Sequence, residues 1–288
     1  MSLRQLLDVP APAKLNLFLH VVGRRADGYH LLQSVFMLID WCDRLHFERR
    51  AGGSISREDV VGGQALPADD LVVRAARALQ QATGCDWGAH VVLDKQIPQE
   101  AGLGGGSSDA ASCLLALNRL WGLDLPLEQL MCIGVELGAD VPFFLGGDNA
   151  WVEGVGERLT PVALPPADFL LLKPPSGAST PKIFSSPALK RDSPSHVVAD
   201  FLASACIYEF GRNDLQPVAS DLCPDIQVAL DLLKRQKISA RMTGSGSAIF
   251  AQTTQSVDPT AVPARWIARS CKNLFEHPLK QWRKQATI

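Results

Sequence analysis

The stretch that most constrains this chain is Ala101-Gly102-Leu103-Gly104-Gly105-Gly106-Ser107-Ser108-Asp109, which places four glycines in five positions between an apolar alternating segment and an alanine-rich run. Glycine loses more conformational freedom on folding than any other residue, so such a cluster is costly unless the backbone must turn sharply or approach another group closely. Read with its flanks, the segment is a strand passing through a glycine turn into a helix. The unpaired N–H groups of the helix's first turn, backed by the positive end of its dipole, make a cradle for a phosphate at such a junction. The ending Gly-Lys-Ser/Thr of a Walker loop is absent, and Ser107 stands where a dinucleotide fingerprint wants Gly or Ala. A phosphate-bearing ligand is therefore expected here, held by neither of those two loops.

The rest of the chain reads as alternating strands and helices. Residues 14–22 put Leu15, Leu17, Leu19 and Val21 on one face and Lys14, Asn16, Phe18 and His20 on the other, the period of a strand. Further strands are expected at 35–39, 44–49 and 89–97. Helices are expected at Leu71–Thr83, opened by Asp69 or Asp70 and closed by Gly84, and at 108–121 and Leu127–Leu137. The pattern breaks around Gly146-Gly147 and resumes with strands at 150–155 and 169–173. With 288 residues, enough for about two domains, the chain is divided there into residues 1–149 and 150–288. Five prolines punctuate 174–194, which reads as a surface loop able to carry function. Helices follow at 197–207 and 226–237, strands at 239–242 and 248–252, and a last helix at 264–271.

Charge narrows the partners. Lys plus Arg number 28 against 30 Asp plus Glu, a net −2, so no global field attracts nucleic acid or an anionic membrane and any anion must be held by a local site. The seven cysteines, at 42, 85, 113, 132, 206, 223 and 271, are odd in number and contain no Cys-x-x-Cys pair. This argues for reduced thiols in the cytoplasm over a disulfide framework or structural zinc. No apolar run approaches the 18 or so residues that a bilayer demands, and Asp8 interrupts the only apolar stretch that could precede a leader cleavage site at Ala11-Pro12-Ala13.

Several residues could do chemistry, each with a plainer alternative. Lys14 and Asn16 share a strand face, where a lysine either reaches solvent or meets an anion. Asp140, in Gly138-Ala139-Asp140-Val141-Pro142, is a turn residue or a reactive carboxylate. Met242-Thr243-Gly244-Ser245-Gly246-Ser247 is a tight hairpin unless another loop partners it. The turn Gly23-Arg24-Arg25-Ala26-Asp27-Gly28-Tyr29-His30 ends in two rings that either pack on the sheet or hold a planar ligand.

Taken in order, Pro12-Ala13-Lys14-Leu15-Asn16-Leu17, the turn ending Asp27-Gly28-Tyr29-His30, the stretch from Pro98 to Ser108, Gly138-Ala139-Asp140-Val141-Pro142-Phe143-Phe144 and Thr243-Gly244-Ser245-Gly246 closely resemble the GHMP kinase superfamily. The Tyr-His turn resembles the branch that acts on a cytidine diphosphate ester of methylerythritol in the non-mevalonate route to isoprenoid precursors. The resemblance implies a two-domain α+β fold, with an N-terminal domain like the second domain of ribosomal protein S5, a ferredoxin-like C-terminal domain and the active site between them. It implies transfer of the ATP γ-phosphoryl group to the tertiary 2-hydroxyl of the methylerythritol unit. By that likeness Lys14 and Asp140 are catalytic, and Gly102, Leu103, Gly104, Gly105, Gly106, Ser107 and Ser108 wrap the ATP phosphates. Lys95, Pro98 and the Asp70-Leu71 region lie near the nucleotide; Asn16, Tyr29, His30, Thr180, Phe184, Gly244 and Ser245 take the substrate. Mg2+ is expected with ATP, with Ser108 and Asp109 as candidate ligands and no assigned metal site. Mevalonate, homoserine and sugar kinases of the superfamily, and a binding protein that keeps the fold without catalysis, are the alternatives.

Overall fold

The computed structural model describes residues 3–60, 66–255 and 261–283. Its first sheet is organised by two long antiparallel strands, β1 (Gln5–Arg24) and β2 (His30–Arg50), joined by the Arg25–Tyr29 turn. One edge of β2 pairs with β1. Its other edge is shared, with β4 (Gly88–Asp94) along Arg44–Arg50 and β5 (Ala150–Gly154) along Leu32–Phe36. Short strands β3 (Ile55–Asp59), parallel to β4, and β6 (Arg158–Pro161), antiparallel to β5, complete it.

Four helices cover this sheet: α1 (Leu71–Thr83), α2 (Gly105–Leu120), α3 (Leu127–Leu137) and α4 (Val141–Gly146). The α1 limits follow from the caps expected. Asp70 accepts a hydrogen bond from the Val73 N–H, and Gly84 closes the helix at φ +64°, where a side chain would be strained. Helix α2 is buried on every side from Ser108 to Asn118. Ala110, Ala111 and Ala116 explain how it fits, since small side chains let the surrounding elements close in around it. Leu114 and Leu117 then join Phe47, Leu79, Val91 and Leu130 in one core.

The second sheet runs β10 (Ile267–Lys272), β7 (Asp168–Lys173), β9 (Ile249–Gln252), β8 (Arg241–Met242), antiparallel throughout. Phe169 and Leu171 of β7 enter one core, and Leu170 and Leu172 enter another. The strand is thus covered on both faces, which is why its sequence is continuously apolar. Helices α7 (Gln216–Leu222) and α8 (Pro224–Arg235) cover one of those faces through Val218, Ala219, Ile226, Ala229 and Leu233. The 174–194 stretch contains one short helix, α5 (Thr180–Ser185), and α6 (Val198–Leu202) follows it. Among the described residues no helix is long and apolar enough to cross a membrane.

Three expectations need correction. The 264–271 segment is not a helix: from Ile267 it is strand β10, because pairing along the open edge of β7 overrides its local preference. The strands at 35–39 and 44–49 are one, since β1 pairs with β2 on both sides of Asp40 and an irregularity at 39–41, opposite Ala13, is absorbed as a bulge. The helix expected at 197–207 ends at Leu202, with a separate 3-10 turn at Ile207–Glu209. The division expected between 149 and 150 lies just before β5, which with β6 pairs into the first sheet.

Candidate active site

Strand β4 delivers Lys95, then the glycine loop, then α2. The α2 N-cap is Gly104, at φ +70° and with no side-chain cap. The first helical bond is Ser108 N–H to the Gly104 carbonyl, 2.9 Å, so the N–H groups of Gly105, Gly106 and Ser107 precede the helical ladder. The loop is braced by the β8–β9 turn: Ser247 N–H donates to the Glu100 carbonyl (3.1 Å) and Ala248 N–H to that of Ala101 (3.1 Å). At Gly102 a Cβ would lie 2.2 Å from the Thr243 carbonyl oxygen, so only glycine lets the two loops meet. Above them opens a cavity of about 610 Å3, bordered by Leu71, Lys95, Pro98, Gly106, Ser107 and Ser245 among others. Gly102, Leu103, Gly104 and Gly105 also border it, whereas Ser108 is fully buried beneath. The Ser108 Oγ and Asp109 Oδ1 have no hydrogen-bond partner among the described residues.

A second cavity of about 170 Å3 continues from the first and shares Gly102, Gly104, Thr180 and Ser245 with it. Lys14, Asn16 and Asp140 lie in its wall. The Lys14 ammonium is 3.5 Å from Asp140 Oδ2, donates to Asn16 Oδ1 and lies 4.4 Å above the Phe36 ring. The face of β1 read as polar is thus an internal wall. Asn16 is fixed there by Nδ2 donation to Ser34 Oγ and by a bond from its own N–H to Thr243 Oγ1 (2.9 and 2.8 Å). Asp140 opens α4, and its carboxylate makes no capping bond, which leaves it to the lysine and to the cavity. Opposite, Thr180 Oγ1 and Ser245 Oγ are 2.7 Å apart, joining the proline-rich segment to the second glycine turn. Gly244 lies with Ser245 in the same wall.

Phe184, at the cavity's outer end, meets His30: the ring centroids are 5.0 Å apart at 36°. Arg191 fixes both, donating from Nε to His30 Nε2 (3.0 Å) and from Nη2 to the Phe184 carbonyl (3.0 Å). Burial, then the Arg191 and Arg24 charges, lowers the His30 pKa. Tyr29 is not brought against Phe184; it is 64% exposed beside this pair.

Residues 70–148 match the GHMP kinases N terminal domain and residues 200–273 the GHMP kinases C terminal domain. A 4-diphosphocytidyl-2-C-methyl-D-erythritol kinase of Polaromonas naphthalenivorans (strain CJ2) is 60% identical over 287 residues, spanning 97% of each chain. One from Delftia acidovorans (strain DSM 14801 / SPH-1) is 59% identical over 290 residues, spanning 99% of this chain and all of its own. A crystal structure of 4-(cytidine 5'-diphospho)-2C-methyl-D-erythritol kinase superposes with a TM-score of 0.77 at 33% identity, over 93% of this chain and 98% of the other. The chain belongs to this family of GHMP kinases. Its two-domain α+β fold is theirs. A homoserine kinase from Cytophaga hutchinsonii, at 14% identity and a TM-score of 0.67 over 95% of each chain, shares the GHMP fold alone.

Within this GHMP kinase, one residue expected near the nucleotide is otherwise engaged, and others escape sequence reasoning. Asp70 lines the large cavity, yet its carboxylate is committed to the α1 cap and to Arg57, 2.8 Å away. Arg191 carries no local signal. Asn213, which donates to the carbonyls of Met242 and Gly244 (2.8 Å each) and shapes the second turn, carries none either. Asp43 does carry one: it alternates in step with Trp41, Leu45 and Phe47, and a carboxylate on an apolar strand face must find a buried partner. That partner is Lys95, which Asp109 also contacts at 2.7 Å. Burial alone would lower the Lys95 pKa; the carboxylates of Asp109 and Asp43 outweigh it and raise the value.

Proposed function

We infer that this protein transfers the γ-phosphoryl group of ATP to the 2-hydroxyl of 4-diphosphocytidyl-2-C-methyl-D-erythritol, forming the 2-phosphate and ADP in the non-mevalonate isoprenoid pathway. The observation that carries the reading is the Lys14–Asp140 pair, 3.5 Å apart, beside the neck where the two cavities share Gly102 and Gly104. ATP occupies the larger cavity with its phosphates on the N–H groups of the glycine loop and Lys95, Pro98 and Leu71 about the nucleoside. The acceptor occupies the smaller one.

In this reading the acceptor's 2-hydroxyl oxygen forms a bond to the γ-phosphorus as the bond from that phosphorus to the bridging oxygen of ADP breaks, and the hydroxyl proton passes to the Asp140 carboxylate. The loose transition state of phosphoryl transfer asks for alignment and charge neutralisation above all. Lys14 supplies the positive charge beside the hydroxyl, and Asn16, Thr180, Gly244 and Ser245 align the methylerythritol unit. Tyr29, His30 and Phe184 hold the cytosine. The unpartnered oxygens of Ser108 and Asp109 are hard donors of the kind magnesium takes, and they are the residues that would hold it. Bound there, Mg2+ would neutralise charge on the β- and γ-phosphates. The cytoplasm is the proposed compartment, and the domain division is proposed at 162–167, between the two sheets.

The test is an ADP-release assay with Mg-ATP and four acceptors: the cytidine diphosphate ester, mevalonate, homoserine and galactose. Turnover of the cytidine ester alone is expected. Turnover of one of the others in its place would reject the specificity, and consumption of none would leave a binding protein of the same fold.

A further inference from the structure

The buried cluster of Asp43, Lys95 and Asp109 has one member with no role assigned above, Asp43. Asp43 is fully buried on β2 and Asp109 is buried in α2. One Asp43 oxygen, Oδ1, accepts the backbone N–H groups of Gln96 (2.6 Å) and Ile97 (2.7 Å). The other accepts the Lys95 ammonium, which also donates to Asp109 Oδ2 at 2.7 Å. Lys95 stands seven residues before Gly102, at the start of the segment that leads into the phosphate loop, and Asp109 immediately follows that loop. The lysine thus ties the two ends of that loop together, and Asp43 ties both to the central strand of the sheet.

An ammonium has three N–H donors, and the two carboxylates take two of them. Lys95 also borders the large cavity, and its Nζ is so close to the start of α2 that a Cβ on Gly105 would lie 3.0 Å from it. A lysine free at this position would lose much rotamer freedom on meeting a ligand. Held on two carboxylates, it has lost that freedom already.

We propose that Asp43 is a positioning residue for ATP: together with Asp109 it holds the ends of the phosphate loop through Lys95 and directs the lysine's remaining N–H toward the nucleotide. The proposal rests on the reading that the large cavity takes ATP. Asp43 touches neither substrate; it acts through Lys95 and through the backbone of Gln96 and Ile97.

The deciding measurement is nucleotide affinity, by calorimetry with a non-hydrolysable ATP analogue and no acceptor present, together with steady-state KM values for both substrates. Asp43→Asn keeps an oxygen for the two backbone N–H groups and removes the charge that anchors Lys95. It is expected to weaken nucleotide binding and raise KM for ATP by about tenfold or more, with KM for the acceptor changing less than twofold. Lys95→Met should cost a similar amount, and the Asp43→Asn/Lys95→Met double variant no more than the worse of the two single changes, because coupled residues are not additive. The double variant leaves Asp109 without its lysine; where Asp43→Asn alone does not fold, a loss in the double variant equal to that in Lys95→Met sustains the proposal, because Asp43 then acts only through the lysine. Unchanged ATP affinity in Asp43→Asn or in the double variant would overturn the proposal. So would losses that add, or equal losses for both substrates. A wild-type protein that binds no nucleotide would reject the reading of the cavity as well.

Discussion

Asp140 is a turn residue in the sequence and a placed carboxylate in the structure, and the difference lies in what it leaves undone. It opens α4 without capping it, so its oxygens are available to Lys14 and to the smaller cavity. Lys14 is held in turn by Asn16 and the Phe36 ring, which fixes the geometry of the pair before any ligand binds. Asp140→Asn keeps the size of the side chain and removes both its charge and its ability to take a proton. A loss of roughly 100-fold or more in kcat is expected, in the range of general-base and electrostatic contributions, with nucleotide affinity from calorimetry nearly unchanged. A variant that turned over at the wild-type rate would return Asp140 to the role of a turn residue. Spacing alone left Lys14 between solvent and an anion; the burial of both faces of β1 decided it.

At the scale of elements, the segment that follows β10 shows how little local sequence says about its task. Beyond Lys272 the chain leaves the second sheet and straps the first half: Leu274 N–H donates to the Leu38 carbonyl and His277 N–H to that of Gly147, both at 2.8 Å. Arg283 donates to the carbonyls of Leu145 and Gly146, at the end of the short helix that Asp140 opens. His277 is 1% exposed; burial, and then the Arg283 charge, lowers its pKa from 6.5 to about 3. In the unfolded chain it takes a proton near pH 6.5, whereas the folded protein keeps it neutral. The folded state therefore binds fewer protons between those values. The stability this histidine supports is complete above about pH 6.5 and is lost as pH falls toward 3, by about 1.4 kcal/mol per pH unit. Urea unfolding at pH 7.5, 6 and 5 should show that slope, and His277→Gln should remove most of it. An acid dependence identical in the two proteins would mean that the strap opens before His277 titrates.

For the molecule as a whole, the two cavities exist because the halves share an interior. Strand β1 contributes Ala11 to the first core, Leu15 and Leu17 to the second and Leu19 and Val21 to the third, so a strand of the first sheet forms part of the wall that the second sheet packs against. The outer contact is likewise joint property, with His30 from the start of β2 and Phe184 and Arg191 from the segment after β7. Base stacking is worth roughly 1–3 kcal/mol per ring, one to two decades of affinity at about 1.4 kcal/mol per decade. With ATP in the larger cavity, as proposed, Tyr29→Ala and Phe184→Ala should each raise KM for the cytidine substrate by about tenfold or more and leave KM for ATP nearly unchanged. Equal losses for both substrates would mean that the rings only pack the fold.

What the sequence determined by itself is local in its physics. The limits of α1 and α3 follow from capping and turn residues adjacent in the chain, and the strand-to-helix turn before α2 from its glycine cluster. The tertiary structure alone decided that β10 is a strand, that the glycine loop is closed by a turn some 140 residues away, and that Asp43 lies against Lys95. Each of these depends on a partner distant in sequence: an unpaired strand edge, a backbone approach that only Gly102 permits, a buried carboxylate requiring a cation. Composition and periodicity can announce such a need, as Asp43 does from within an apolar alternation, but only the packed chain supplies the group that meets it.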